Sequence, residues 1–414
     1  MLGSNRLSFR NFMKPALRRP TASLAAISAM SILIAGCTSL PRTTYSASEG
    51  AQARVLDLAD LRRYADEPAW RFQHPRNQAV QRGPLTYLAL SGGGADGAYG
   101  AGILTGWSEA GTRPSFSIVS GVSTGALIAP FAFLGPQYDQ TLRDVYTSGV
   151  AETLLESPNP FNAIFGSGVF GNKNLRGLVA KYIDAKFVGE VAAEYAKGRR
   201  LLIVTTNIDS QRTAIWDMGR IASLRTTESL NLFRDVVTAS ASLPVVFPPM
   251  LITVEANGRQ FQEMHIDGGV TAPVLTLPEA YLLRNAALSQ AENLQLFILI
   301  NNKVDREFQP IDNKTVEIAA RSSSTMVKGQ TRSIISSTYD FARRNKFGFN
   351  LTYIGAERPA SPAGFDTAYM RELFEYGYDR ARSNRVWSKS PPLDAVDAAP
   401  VSRTIAARSA IATN

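Results

Sequence analysis

Through the middle of this chain, short apolar runs alternate with stretches whose apolar residues recur at helical spacing. Leu85 to Leu90 is a compact run of the kind that forms a buried strand, and Ala98 to Ala110 follows it with helical periodicity. Phe116 to Ser120 predicts a second strand, and Ala126 to Leu134 a helix directly after it. Further strands are predicted at Arg200 to Thr206, Thr213 to Asp217, Gln260 to Ile266 and Leu294 to Asn301. Helical segments fall between them near Thr141 to Glu156, Asn174 to Tyr182 and Leu230 to Ser242, and two more follow at Asn313 to Asn345 and Phe365 to Ser383. Strands that alternate with helices predict an α/β fold: a mainly parallel central sheet with helices on both faces. Order is expected from about Pro84. Residues 38–82, rich in Ser, Thr, Ala, Arg and Gln, read as a tether with one helix at Ala53 to Ala65, and 388–414, rich in Ala, Pro and Ser, as a disordered tail.

The chain has 414 residues and a formal charge of +9. Its first part changes the meaning of that charge. Arg6, Arg10, Lys14, Arg18 and Arg19 precede an uncharged stretch of 17 residues, Pro20 to Gly36, which has the regions of a secretory signal and is slightly short for a bilayer span. Without residues 1–36 the chain loses five positive charges and no negative ones, taking +9 to +4. The basic residues that remain are scattered, without the aromatic interleaving of a nucleic-acid surface, so no nucleic-acid partner is expected. Cys37 is the only cysteine, and Ile34-Ala35-Gly36-Cys37 resembles the lipobox of bacterial lipoproteins. That resemblance implies lipidation of Cys37 and a membrane anchor. Thr38 lacks the Asp that retains such proteins in the inner membrane. The expected location is therefore the bacterial cell envelope, at the outer membrane facing the periplasm.

Two glycine motifs carry the candidate chemistry. Gly121-Val122-Ser123-Thr124-Gly125 stands between a predicted strand and a predicted helix, the context of a nucleophile elbow, which makes Ser123 the candidate nucleophile. Gly92, Gly94 and Gly97 also fit the dinucleotide pattern G-x-G-x-x-G after a strand. A dinucleotide site wants an acidic residue about 20 positions on, yet no Asp or Glu lies between Glu109 and Asp139. No dinucleotide cofactor is therefore expected. The other reading is an oxyanion hole, with backbone N–H groups of Gly92, Gly93, Gly94 and Ala95 aimed at the carbonyl oxygen that gains charge during acyl transfer.

A serine nucleophile needs a base, and the chain has only His74 and His265. His74 precedes the folded region. His265 leaves the same face of its strand as Asp267, and no histidine follows Asp267. The simplest arrangement is a Ser-Asp dyad in which Asp267 itself contacts Ser123 as general base. With Gly92-Gly93-Gly94, the serine pentapeptide and Asp267-Gly268-Gly269 in this order, the sequence resembles the patatin-like phospholipase family. The resemblance covers about residues 84–302. It implies a three-layer patatin-like fold and hydrolysis of lipid acyl esters by Ser123 as nucleophile and Asp267 as base, without metal or cofactor.

The expected division is a signal peptide over 1–36, a tether over 37–83, a hydrolase domain over 84–387 and a tail over 388–414. Within the domain, 84–302 carries the motifs and 303–387 is helical. One residue departs from the family's pattern: Asp96 stands where Lys or Arg is usual, and it is expected to face solvent or cap the next helix. His265 is open as a third catalytic member or a strand residue. The run Phe161, Ile164, Phe165, Val169 and Phe170 is open as lid or core, and the basic row Arg321, Lys328, Arg332, Arg343, Arg344 and Lys346 as a lipid-facing or solvated helix face. The alternative to an enzyme is a non-catalytic envelope lipoprotein that uses this fold for binding. The sequence is silent on oligomeric state.

Overall fold

The computed structural model describes residues 42–72, 84–155, 172–282, 294–359, 364–383 and 386–392. The expected signal segment, Cys37, His74 and the run from Phe161 to Phe170 lie outside the described residues.

In chain order the strands are β1 (Arg62–Tyr64), β2 (Leu85–Leu90), β3 (Ile118–Val122), β4 (Arg200–Asn207), β5 (Arg212–Asp217), β6 (Met250–Ala256), β7 (Arg259–Asp267), β8 (Leu294–Lys303) and β9 (Gly348–Ile354). The helices are α1 (Ala47–Gln52), α2 (Gly97–Glu109), α3 (Thr124–Leu134), α4 (Asp139–Thr147), α5 (Asn172–Tyr182), α6 (Ala185–Ala196), α7 (Met218–Ala222), α8 (Thr227–Ser240), α9 (Glu279–Leu282), α10 (Thr315–Asn345) and α11 (Thr367–Arg382). The middle of the sheet runs parallel in the order β4-β3-β2-β8-β9. Beyond β4, β5 and then β1 are added antiparallel, and the β6-β7 hairpin joins β4 on its other side.

Alternation along the strands fills both faces. Leu88, Leu90, Val119, Leu201 and Ile203 pack with Tyr99 and Ile103 of α2, Ile128 of α3, Phe233 of α8 and Phe374 of α11. Tyr87, Ala89, Leu296, Ile298, Phe349 and Leu351 pack on the other face with Ile335 and Phe341 of α10. Full burial of a Val, Leu, Ile or Phe side chain among these contributes about 1.5–3 kcal/mol. The expected α/β architecture, a mostly parallel sheet with helices around it, is what the chain adopts. Among the described residues no helix is long and apolar enough to cross a membrane.

The structure corrects the expected elements at both ends and in the middle. The helix expected at Ala53 to Ala65 does not form: Leu56 and Asp57 take positive φ (48° and 60°), and Arg62–Tyr64 becomes a strand on β5. The described part of the expected tether, 42–72, is thereby packed on the domain, with Leu61 fully buried and Tyr64 and Ala65 buried. At the other end, Val386 is buried and Ser388 pairs with Leu351 of β9. Strands β6 and β9 and helices α1, α6, α7 and α9 are not among the elements the sequence predicts.

Candidate active site

Strand β3 ends at Val122, opposite Val204 of β4. One residue further along β4, Thr205 pairs instead with Asp267, the last residue of β7. Strands β3 and β7 therefore follow one another along the same edge of β4, pointing at each other. Their ends bring Ser123 and Asp267 together, and Ser123 Oγ donates to Asp267 Oδ2 at 2.5 Å.

Ser123 sits on the turn between β3 and α3 with φ 55° and ψ −124°, a conformation that costs a non-glycine residue about 1–3 kcal/mol. The flanking glycines allow the turn. A Cβ on Gly121 would lie 2.3 Å from the Gly125 carbonyl oxygen, and one on Gly125 would lie 2.6 Å from the carbonyl oxygens of Leu90 and Ser91. The elbow is also held from α8, where the Ser240 hydroxyl accepts from the Ser123 N–H at 3.0 Å and donates to the Val204 carbonyl at 2.6 Å. The sequence marks the segment Ser240 to Pro249 by its small residues and prolines, but nothing in it assigns Ser240 this role.

Asp267 is 2% exposed. Its Oδ1 accepts from the Gly269 N–H at 2.7 Å, which the tight Gly268-Gly269 turn makes possible. Burial raises its carboxyl from 3.8 to about 6, against the hydrogen bonds from Ser123 and Gly269 that favour the carboxylate. A buried carboxylate with neutral partners and a serine hydroxyl in contact is equipped to take a proton.

The glycine loop lies against the elbow. A Cβ on Gly92 would stand 3.0 Å from Ser123 Cβ, and one on Gly97 would stand 2.2 Å from Thr124 Oγ1. The Gly92 N–H donates to the Pro273 carbonyl at 3.1 Å, so the oxyanion reading narrows to the amides of Gly93, Gly94 and Ala95. Beneath them Gly93 presses on β8, where a Cβ would come 1.9 Å from the Asn301 carbonyl oxygen. Gly94 takes φ 58°.

Two expectations change. Asp96 does not face solvent: it is 6% exposed, accepts from the Tyr369 hydroxyl at 2.8 Å and makes no side-chain capping bond to α2. His265 is fully buried and turned to other partners. Its Nδ1 hydrogen-bonds Thr205 Oγ1 at 2.8 Å, and its Nε2 lies 3.2 Å from Glu263 Oε2. Burial lowers its pKa, only partly offset by Glu263. Its contacts are those of a structural strand residue.

No curated protein matches the chain in sequence. Among solved structures, it is similar to VipD from Legionella pneumophila at 15% identity, with 73% of this chain and 67% of that one covered and a TM-score of 0.35. It is also similar to human GIVD cytosolic phospholipase A2 (12%; 69% and 46%; TM-score 0.26) and to the type III effector protein ExoU (13%; 74% and 54%; TM-score 0.21). The chain spans about half the length of these last two. The family model described as patatin-like phospholipase matches residues 88–278, the span that holds the glycine loop, the elbow and the Asp-Gly-Gly turn. Residues 88–278 of this chain are thus a patatin-like phospholipase domain.

Proposed function

We propose that this protein is a serine acyl hydrolase that cleaves lipid acyl esters through a Ser123-Asp267 dyad. The observation that carries this reading is the direct Ser123 Oγ to Asp267 Oδ2 hydrogen bond at the junction of β3 and β7, within a patatin-like phospholipase domain. In the proposed reaction Asp267 takes the Ser123 proton as Oγ attacks the ester carbonyl. The carbonyl oxygen becomes an oxyanion, held by amides of Gly93, Gly94 and Ala95. Collapse expels the alcohol, which leaves with the proton from Asp267, and the acyl group stays on Ser123. Asp267 then deprotonates a water that attacks this ester, and the fatty acid is released as Ser123 regains its proton. Lipidation at Cys37 would hold the domain at an envelope membrane, next to its substrate.

The test is covalent labelling. A fluorophosphonate probe should modify the wild-type protein and leave Ser123→Ala unmodified, with hydrolysis of a p-nitrophenyl ester lost in parallel. A folded wild-type protein that neither labels nor hydrolyses would sink the enzyme reading and favour a binding module.

A further inference from the structure

Helix α11 lies outside the matched span, yet it is built into the catalytic end of the domain. It meets α2 backbone to backbone: a Cβ on Gly102 would fall 2.0 Å from the Phe374 carbonyl oxygen, and one on Gly106 would fall 2.2 Å from that of Tyr378. From the other side, a Cβ on Gly377 would fall 2.5 Å from the Tyr99 carbonyl oxygen. Contacts this close set the helix's axial position, because any slide would drive side chains into backbone. Its first turn is tied down as well. Asp366 caps it through the Tyr369 N–H (2.7 Å), the Thr367 N–H donates to Glu152 (2.7 Å), and Arg371 Nε donates to the Thr147 carbonyl (2.6 Å).

From this anchored turn the Tyr369 hydroxyl reaches Asp96 Oδ1 at 2.8 Å. Asp96 is the last residue of the 3-10 turn Gly94–Asp96, and its N–H donates to the Gly93 carbonyl at 3.1 Å. It thus closes the short loop that carries the amides of Gly93, Gly94 and Ala95. A loop of glycines has few side chains by which the protein can hold it, and Gly94 has nothing within 4 Å of where a Cβ would be. Asn301 backs the loop at Gly93, and Tyr369 grips its other end through the carboxylate.

We propose that Tyr369 and Asp96 are positioning residues that fix the oxyanion loop, and that α11 is consequently part of the acyl-transfer site. This rests on the dyad reading above. Oxyanion donors work because they are held in place before charge develops, so a loop that can shift loses transition-state stabilisation while ground-state binding is spared. The hydroxyl also engages the Asp96 carboxylate, a group of the same sign as the developing oxyanion.

The test is steady-state hydrolysis of a p-nitrophenyl ester by the full chain, with active sites counted by fluorophosphonate titration and folding followed by thermal melting. Tyr369→Phe should lower kcat by about tenfold with KM within about twofold, the scale expected for a modest displacement of catalytic groups. Asp96→Asn, which still presents an oxygen acceptor to Tyr369, should lose less kcat than Asp96→Ala. Adding Tyr369→Phe to Asp96→Ala should cost nothing further, since both remove the same contact. A Tyr369→Phe enzyme with wild-type kcat, or additive losses in the double variant, would overturn the inference and leave the dyad standing. A wild-type protein without Ser123-dependent hydrolysis would overturn both. Should Tyr369→Phe fail to fold, equal kcat losses in Asp96→Asn and Asp96→Ala would count against the inference.

Discussion

Strand β7 carries two buried carboxylates four residues apart, and their surroundings differ in kind. Glu263 is fully buried and faces one cation: Arg62 of β1 clamps it with both Nη nitrogens, Nη2 at 2.7 Å from Oε1, and the ring of His265 lies beside it. Burial pushes Glu263 up, but the hydrogen bonds from Arg62 and His265 and the charge of Arg62 outweigh it and hold the carboxyl at about 2. Asp267, 2% exposed, has a serine hydroxyl and a backbone amide for partners, and it rises to about 6. Burial is common to both; the counter-ion is what differs. A carboxylate with a guanidinium in contact is locked in its charged form and serves the structure. One left with neutral partners is a base near the pH at which it would be asked to work.

The sharpest way to break this contrast is Asp267→Asn. Without the carboxylate, turnover should fall by on the order of 10⁴-fold, the scale seen when a hydrolase loses a member of its catalytic unit. The same change should stabilise the fold, and the sign follows from the shift. A folded pKa of about 6 against an ordinary 3.8 means that Asp267 favours folding most below 3.8 and loses that contribution as pH rises through about 6. Melting at pH 8 should therefore show Asp267→Asn more stable by roughly 3 kcal/mol, and melting at pH 4 should show little difference. Glu263 has the opposite sign, its contribution being present above its ordinary 4.5 and lost as pH falls through about 2. Unchanged turnover in Asp267→Asn, or lower stability at pH 8, would end the idea that Asp267 is a strained base.

The second test acts on the other carboxylate. Arg62→Ala leaves Glu263 buried without its cation and removes a guanidinium that also lies 5.5 Å from the Trp216 ring, so a loss of about 3–5 kcal/mol in denaturant unfolding is expected. The enzyme that remains folded at low temperature should keep its kcat. A kcat that collapses while the melting point holds would place Arg62 in the chemistry and erase the distinction.

The two regions were unequally legible in the sequence, and the reason is distance along the chain. Ser123 could be read because the glycines that permit its turn, Gly121 and Gly125, are its sequence neighbours, and Asp267 because its turn is written in Gly268-Gly269. Arg62 could not. Residues 53–65 have helical apolar spacing, and only the edge of β5 and the buried Glu263, 201 residues away, make Arg62–Tyr64 a strand. Strand β9 likewise exists because β8 offers it a parallel edge. Asp96 misled for the same reason, since the hydroxyl that accounts for its burial comes from Tyr369, 273 residues on. Local turn chemistry survives in sequence; partners chosen by tertiary packing do not.

The finest test of the contrast is His265, which stands between the two carboxylates on the same face of β7. If it served the base, its removal should resemble Asp267→Asn; if it belongs to the Glu263 cluster, its removal should resemble a milder Arg62→Ala. The geometry favours the cluster, because both ring nitrogens are engaged, with Thr205 and with Glu263, and because burial keeps the ring neutral. His265→Ala should therefore cost about 1–3 kcal/mol through the cavity and the lost hydrogen bonds. It should leave kcat/KM within about threefold and leave the acid limb of its pH profile, set by Asp267, near pH 6. A thousandfold loss, or an acid limb displaced by a full pH unit, would mean that the two carboxylates are coupled through His265 and that the base is a pair rather than a single residue.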